Sequence, residues 1–449
     1  MVGEPKTAMN HLLPFTDPSA ADAKAPLEIV SGDGIRVFDR QGKAYIDAVS
    51  ALWCSPLGFT PERLTNAMAD QMGQLAYYHS FMGRTPAITT RLTARLAALL
   101  PGDLNHLFFT TSGSEAVETA AKFARYYQNA RGRTDKKRMI ARDGAYHGSG
   151  QVSAALTGFG YCHDGFDLPL DGVLRTGRPH FLLDAEPGES EISFSRRRAR
   201  ELDELIRHHG ADTIAAFIGE PAMGAGGVIL PPEGYWAEIQ EVLTRHDILL
   251  IADEIICGFG RTGEWFASQT YDIAPDMLTM AKQMTASVFP MSAVAMSDQV
   301  RNTIADLAGH YGTFGHGVTY GGHPVGAAVA LECLDIYEEM DLPHHVRKLG
   351  ARIQSGLARI AQLPPVLDTR CHGMLAAVEF PETGPFGAEL GRRIGEEAIR
   401  RGVFFRTIGN VLAIAPPYIT TEDEIDSIMQ VMHSSIVSVT GAGVTDDAR

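Results

Sequence analysis

The chain has 449 residues, with 39 Lys or Arg against 54 Asp or Glu and a formal net charge of −15. Hydrophobic content of 45% and charged content of 21% exclude wholesale disorder, and the acidic balance argues against nucleic-acid binding, which needs clustered cations. The length exceeds one compact core and points to two or three structural units. In chain order, the first thirty or so residues are rich in Pro and Ala and read as an arm. Residues 35–39 and 44–47, joined by the polar turn 40–42, form a predicted hairpin. Residues 88–100 pattern as an amphipathic helix stopped by Pro101-Gly102. Residues 106–110 read as a buried strand, and 115–129 as a helix behind a Ser/Gly turn. Further short apolar strands are predicted at 139–141, 213–218 and 248–252. Strands alternating with helices imply a largely parallel sheet covered on both faces. After about residue 325 the pattern changes to a long helix, 326–340, followed by Arg/Leu-rich helices and strands near 376–380 and 411–415. This reads as a smaller α+β unit, with the N-terminal hairpin as a candidate addition.

The cysteines, Cys54, Cys162, Cys257, Cys333 and Cys371, are odd in number, and no CxxC or zinc spacing occurs. Reduced thiols in a cytoplasmic protein are the expectation. No basic-then-apolar leader opens the sequence and no apolar run reaches about eighteen residues, so a soluble chain without a membrane partner is expected.

Glycine is frequent, at 46 residues, and four glycine-bearing segments follow predicted strands. Thr110-Thr-Ser-Gly-Ser-Glu115 would present backbone N–H groups at a helix start, either for a phosphate or as an ordinary cap with Ser114 in the capping role. Gly144-Ala-Tyr-His-Gly148 offers an aromatic that stacks on a planar ligand or simply packs. Gly219-Glu-Pro-Ala-Met-Gly-Ala-Gly-Gly227 sets a carboxylate at a strand end, or forms a surface loop. Gly258-Phe-Gly-Arg-Thr-Gly263 satisfies G-x-G-x-x-G, but Asp253-Glu-Ile-Ile-Cys257 separates it from its strand and no clear helix follows. Asp253 closes an apolar strand, where a lone carboxylate is costly, so it must meet a cation, a metal or a hydrogen-bond network. Lys282, in Met280-Ala-Lys-Gln-Met-Thr-Ala286, is either an amine nucleophile of lowered pKa or a snorkelling lysine.

Together these residues resemble the class III aminotransferases, enzymes of pyridoxal phosphate (PLP) fold type I, from about residue 30 to 435. The resemblance rests on the run from Asp253 to Gly263, Pro275-Asp276, Ala281-Lys282 and Pro290. Ser112-Gly-Ser-Glu115, Tyr146-His-Gly148, Glu220-Pro221 and Gly317-Val-Thr-Tyr-Gly-Gly-His-Pro324 support it. It implies an α/β fold, with a large domain whose mostly parallel, seven-stranded sheet is sandwiched by helices, plus a smaller α+β domain from both chain ends. The expected divisions are 1–60, 61–325 and 326–449. By resemblance, Lys282 and Asp253 are catalytic: Lys282 holds PLP as a Schiff base and Asp253 pairs with the pyridine nitrogen. Ser112, Gly113, Ser114, Tyr146, His147, Glu220 and Ile255 complete the cofactor site, with Tyr146 and Ile255 on opposite ring faces. Thr319 is expected to reach the phosphate of a neighbouring subunit, which implies a homodimer or tetramer with shared sites. No metal is expected.

Arg406, in Phe404-Phe-Arg-Thr-Ile-Gly-Asn410, resembles the mobile arginine of the ω-aminotransferase branch. Trp53 and the run Tyr77-Tyr-His-Ser-Phe81, with Phe81, resemble that branch's substrate wall, which Tyr146 shares. The resemblance implies an amine, ω-amino acid or β-amino acid donor and a keto-acid acceptor such as pyruvate. Departures are Gln283 and Ser287-Val-Phe289, where the family often has glycine and a Gly-Tyr pair, and Met223 and Ala225 at variable positions. No second arginine is placed for a distal carboxylate, which disfavours ornithine- or GABA-type donors. The alternatives are an aminomutase or decarboxylase of the same fold, a nicotinamide oxidoreductase using 258–263, and a metal enzyme on His310, His316 and His323. The spacing of those histidines fits no ligand motif.

Overall fold

The computed structural model describes residues 11–21, 26–384 and 387–441. Its strands are β1 (Ile29–Asp33), β2 (Arg36–Asp39), β3 (Ala44–Asp47), β4 (His106–Thr110), β5 (Arg138–Arg142), β6 (Val173–Thr176), β7 (Ile214–Gly219), β8 (Leu249–Asp253), β9 (Met277–Met280), β10 (Ser292–Met296), β11 (Asp368–His372), β12 (Leu375–Glu379), β13 (Val403–Phe404), β14 (Arg406–Ile408) and β15 (Val411–Ile414). Seven of them form the central sheet, in the order β4-β10-β9-β8-β7-β5-β6. Only β10 opposes its neighbours; the rest share one direction, as the mostly parallel reading requires.

Every residue of β7 and β8 is buried. Strands of this kind lack a polar face because helices cover both sides. Phe217 and Leu250 pack with helices Glu191–His209 and Tyr235–Arg245, whereas Ile218 and Ile251 pack with helix Gly113–Ala130. Successive side chains of one strand thus feed two separate layers. The C-terminal ends of β4, β5, β7, β8 and β9 open on one edge of the sheet, where ligands bind in open α/β folds.

Two further sheets build the smaller part, β11-β12-β15-β14 and β1-β2-β3-β13. In the second, β13 lies parallel to β3 with Val403 opposite Ile46, so strands from both chain ends share one sheet. Helix Pro324–Glu339, buried around most of its surface, packs against Glu62–Leu75 and leads into this part. No helix among the described residues is long and apolar enough to cross a membrane.

Several boundaries move. The helix expected at 88–100 is Ala87–Ala97, the one expected from 115 starts at Gly113, and the one expected from 326 starts at Pro324. Thr213 ends a 3-10 turn and β7 begins at Ile214, while Ile248 precedes β8. Ile29 and Val30, assigned to the arm, belong to β1.

Candidate active site

A cavity of about 170 Å3 opens at this sheet edge, lined by Gly113, Ser114, Tyr146, His147, Glu220, Asp253, Ile255 and Lys282. The sequence singled out all of these, and the fold brings them together from five strand ends.

Asp253, the last residue of β8, is 3% exposed. Its Oδ1 accepts from Thr279 Oγ1 (3.0 Å) and the Ile255 N–H (3.2 Å), and His147 Nδ1 donates to Oδ2 at 2.7 Å. These donors supply the hydrogen-bond network that a buried carboxylate needs. The neighbouring Glu220 is also buried, accepting from the Tyr146 N–H (3.2 Å) and the Gly224 N–H (2.9 Å). Burial pushes the Glu220 carboxyl above its ordinary range. The segment carrying it is buried rather than a surface loop, and it closes on itself through a Met223–Ile229 bridge.

Gly113 and Ser114 open helix Gly113–Ala130. The cap is Ser112 and not Ser114: Ser112 Oγ accepts from the Glu115 N–H at 3.2 Å, so its hydroxyl faces its own helix. Ser114 Oγ accepts instead from the Ser149 N–H (3.0 Å), linking the helix start to the 144–148 turn. A Cβ on Gly113 would meet Ile255 Cδ1 at 2.9 Å, so glycine keeps this wall open. The exposed N–H groups and dipole of the helix start make an anion site.

Lys282 lies two residues beyond β9, in a left-handed conformation with φ of 49°. Its Nζ sits 5.7 Å from the ring centre of Trp53. Burial lowers its pKa, and Cys54 and Asp253 only partly oppose the shift, so neutral amine is more available than on a surface lysine. A strained backbone at a nucleophile is a common mark of a functional site.

A second cavity, of about 870 Å3, shares Gly148 with the first and is lined by Phe15, Tyr161, Cys162 and Arg406. Arg406 opens β14 with an exposed side chain. Phe15, assigned by sequence to the arm, packs edge-on to both Tyr146 (6.3 Å) and Tyr161 (6.2 Å). The sequence signal for it was slight, one aromatic residue following Leu12, Leu13 and Pro14. Thr279 was also missed, although a lone hydroxyl in the apolar run Met277–Met280 was visible. Trp53, Phe81 and Thr319 are not among the residues lining either cavity; Trp53 meets the inner one only through its ring beside Lys282 Nζ. Thr319 is exposed, with its carbonyl accepting from Tyr77 Oη (2.8 Å), and Phe81 lines a separate cleft beside Gly317.

The 258–263 segment makes no strand-to-helix turn; it forms consecutive turns before the short helix Ala267–Thr270, so the dinucleotide geometry is absent there. His316 stacks on Phe108 and His323 Nδ1 accepts from the Val325 N–H, separate structural tasks.

The family model for class III aminotransferases matches residues 19–436. The chain belongs to that family. An uncharacterized aminotransferase of Sinorhizobium fredii is 42% identical to this aminotransferase over 97% of its length and 96% of the relative's. Gamma-aminobutyrate transaminase 1 of Oryza sativa is 41% identical, over 94% and 83%. A thermostable omega transaminase mutant from Pseudomonas jessenii superposes with a TM-score of 0.94 at 42% identity, covering 96% of this chain and 97% of that one. The Pseudomonas jessenii omega transaminase has also been solved in complex with PMP, again at TM-score 0.94 and 42% identity over 96% and 98%. The aminotransferase fold is thus PLP fold type I and its cofactor is PLP. The cavity fits that cofactor. A buried carboxylate (Asp253), a helix start (Gly113, Ser114) and an amine (Lys282) line it together, the set of groups that would hold such a cofactor. His147 Nε2, buried without a partner among the described residues, is a polar atom of the kind a bound group satisfies.

Proposed function

We propose that this aminotransferase moves an amino group from an amine, ω-amino acid or β-amino acid to a keto acid, with pyruvate as the acceptor. The observation that carries the reading is Arg406 at the edge of the outer cavity, the one arginine among its lining residues. A guanidinium binds a carboxylate bidentately, and an exposed one swings aside for donors that lack a carboxylate. The relative named omega transaminase supports an amine or ω-amino acid donor, and the one named gamma-aminobutyrate transaminase returns the GABA-type donor that the sequence disfavoured to the range to be tested.

When bound, PLP withdraws electrons from the carbon carrying the donor's amino group. Lys282 is placed to take the proton from that carbon and to return one, because its buried amine is readily neutral. Asp253, fixed by His147 and Thr279, would hold the proton on the pyridine nitrogen. Tyr146 and Trp53 wall the donor and exclude water. The proposal includes a homodimer in which Thr319 and Phe81 reach the partner's site, and a cytoplasmic location, which the five free thiols favour.

The test is a panel of amine, β-amino acid and ω-amino acid donors with pyruvate, repeated with Arg406→Ala. Loss of a charge-assisted bidentate pair should raise the KM for pyruvate by about tenfold or more, while simple amines keep their KM. An unchanged KM for pyruvate would remove Arg406 from acceptor binding.

A further inference from the structure

The glycine-rich segment 258–263, which no catalytic step uses, encloses a fully buried arginine. Arg261 Nη1 donates to the Pro416 carbonyl at 2.7 Å, and Nη2 donates to Ser50 Oγ at 2.9 Å. Ser50 Oγ in turn donates to the Ala415 carbonyl at 2.7 Å. The guanidinium also lies over the Tyr418 ring, 4.8 Å from its centre. One side chain therefore ties the motif to the turn at 50–53 and to the residues that follow β15. The glycines permit this: a Cβ on Gly260 would meet Leu342 Cδ2 at 2.5 Å and one on Gly263 would meet Arg347 Cγ at 2.8 Å.

The turn it grips is strained. Ser50, Ala51 and Trp53 have φ of 51°, 59° and 56°. Side-chain-bearing residues keep such angles only where their surroundings over-determine them. Asp47 supplies one constraint, accepting from the N–H groups of Val49 (2.9 Å) and Ala51 (3.0 Å). Arg261, through Ser50, supplies the other. Trp53 ends the turn beside Lys282, and its Nε1 is buried without a partner among the described residues. No hydrogen bond among the described residues fixes the indole, which is held by the backbone below it and by packing against Val49, Ala222 and Ile256.

We propose that Arg261 is a positioning residue for donor selection: by holding Ser50 against Ala415 it fixes the angle at which the Trp53 indole walls the donor pocket. The inference rests on the proposed function's reading of Trp53, the neighbour of Lys282, as a wall for the donor. It makes the segment that resembles a nucleotide fingerprint a specificity device acting from below the site.

The experiment uses the holoenzyme as wild type, Ser50→Ala, Arg261→Lys, Trp53→Ala and the Ser50→Ala/Trp53→Ala double variant. The readout is the ratio of kcat/KM for 1-phenylethylamine to that for isopropylamine, with pyruvate as acceptor. Cofactor absorbance and thermal midpoint are recorded alongside. Ser50→Ala is expected to retain the cofactor and shift the ratio by at least about threefold, and to add nothing in the Trp53→Ala background. Arg261→Lys, which cannot span both acceptors, should move the ratio in the same direction. If Arg261→Lys does not fold, Ser50→Ala decides alone. An equal loss for both amines, or the same shift in both backgrounds, overturns the positioning role. An unchanged ratio in Trp53→Ala itself takes Trp53 out of the donor pocket, which also sinks the functional reading behind the inference.

Discussion

Lys282 combines a left-handed backbone and a desolvated amine, each of which costs stability, with an indole beside its Nζ. Lys282→Ala is expected to lower turnover by more than about a thousandfold and to abolish the absorbance of lysine-bound cofactor, while the protein stays folded. Steady-state assays and an ultraviolet–visible spectrum check both. Glu254, next to Asp253, makes a different prediction. It is buried and accepts from the Ala267 N–H (3.1 Å) and from Ser268 Oγ (2.7 Å), yet burial pushes its carboxyl up from 4.5 to about 7. Between those values the folded protein keeps a proton that the unfolded chain releases. Stability therefore falls as pH rises through that window, by about 3 kcal/mol at most, and Glu254→Gln should flatten the slope. Urea midpoints taken from about pH 5 to about pH 8 measure it. At this scale the sequence was most legible where chemistry is expensive. A carboxylate closing an apolar strand and an amine in an apolar run announce themselves. Thr279 and Phe15 carry no such penalty, so nothing in the residue types separated them from packing.

Among elements, the strands were legible because β7 and β8 are unbroken apolar runs, and their ends located the site. The edges were less so, since a cap depends on which hydroxyl turns toward the helix. Ser112 and Ser114 both satisfy the pattern, and only the backbone at Ser112, with φ of −141° and ψ of 157°, makes it the cap. Likewise Pro324 opens its helix because its missing N–H falls where no intrahelical partner exists. The turn at 144–148 has the tightest geometry in the site. Gly148 has φ of 135°, and a Cβ there would meet Ser114 Oγ at 2.6 Å. Gly148→Ala is therefore expected to push the turn off the helix start and weaken PLP binding by about tenfold or more, with smaller effects on unfolding. Equilibrium dialysis against PLP gives the affinity, and a thermal scan gives the stability.

Over the whole molecule, the two-part architecture followed from the change of pattern near residue 325, but the pairing of β13 with β3 did not. Strand partners distant in sequence leave no local periodicity. The loop bearing Thr319 and the exposed rings of Tyr77, Tyr78, Phe81 and Tyr320 are expected to be covered in the proposed homodimer. Light scattering should give twice the 48.6 kDa chain mass, and a purely monomeric species with full activity would refute the shared site.

The parallel ladder between Ile46 and Val403 also orders events during synthesis. Translation delivers β3 early, yet its partner emerges only after the entire central sheet. Until then the N-terminal ribbon has an unsatisfied edge, exposed to mispairing. Trp53 sits just past this ribbon and Arg406 just past β13, whereas Asp253 and Lys282 lie in the part already made. The proposed substrate residues Trp53 and Arg406 therefore come from opposite ends of the chain and are brought near one another by this one parallel ladder, whereas Asp253 and Lys282 come from the middle of the chain.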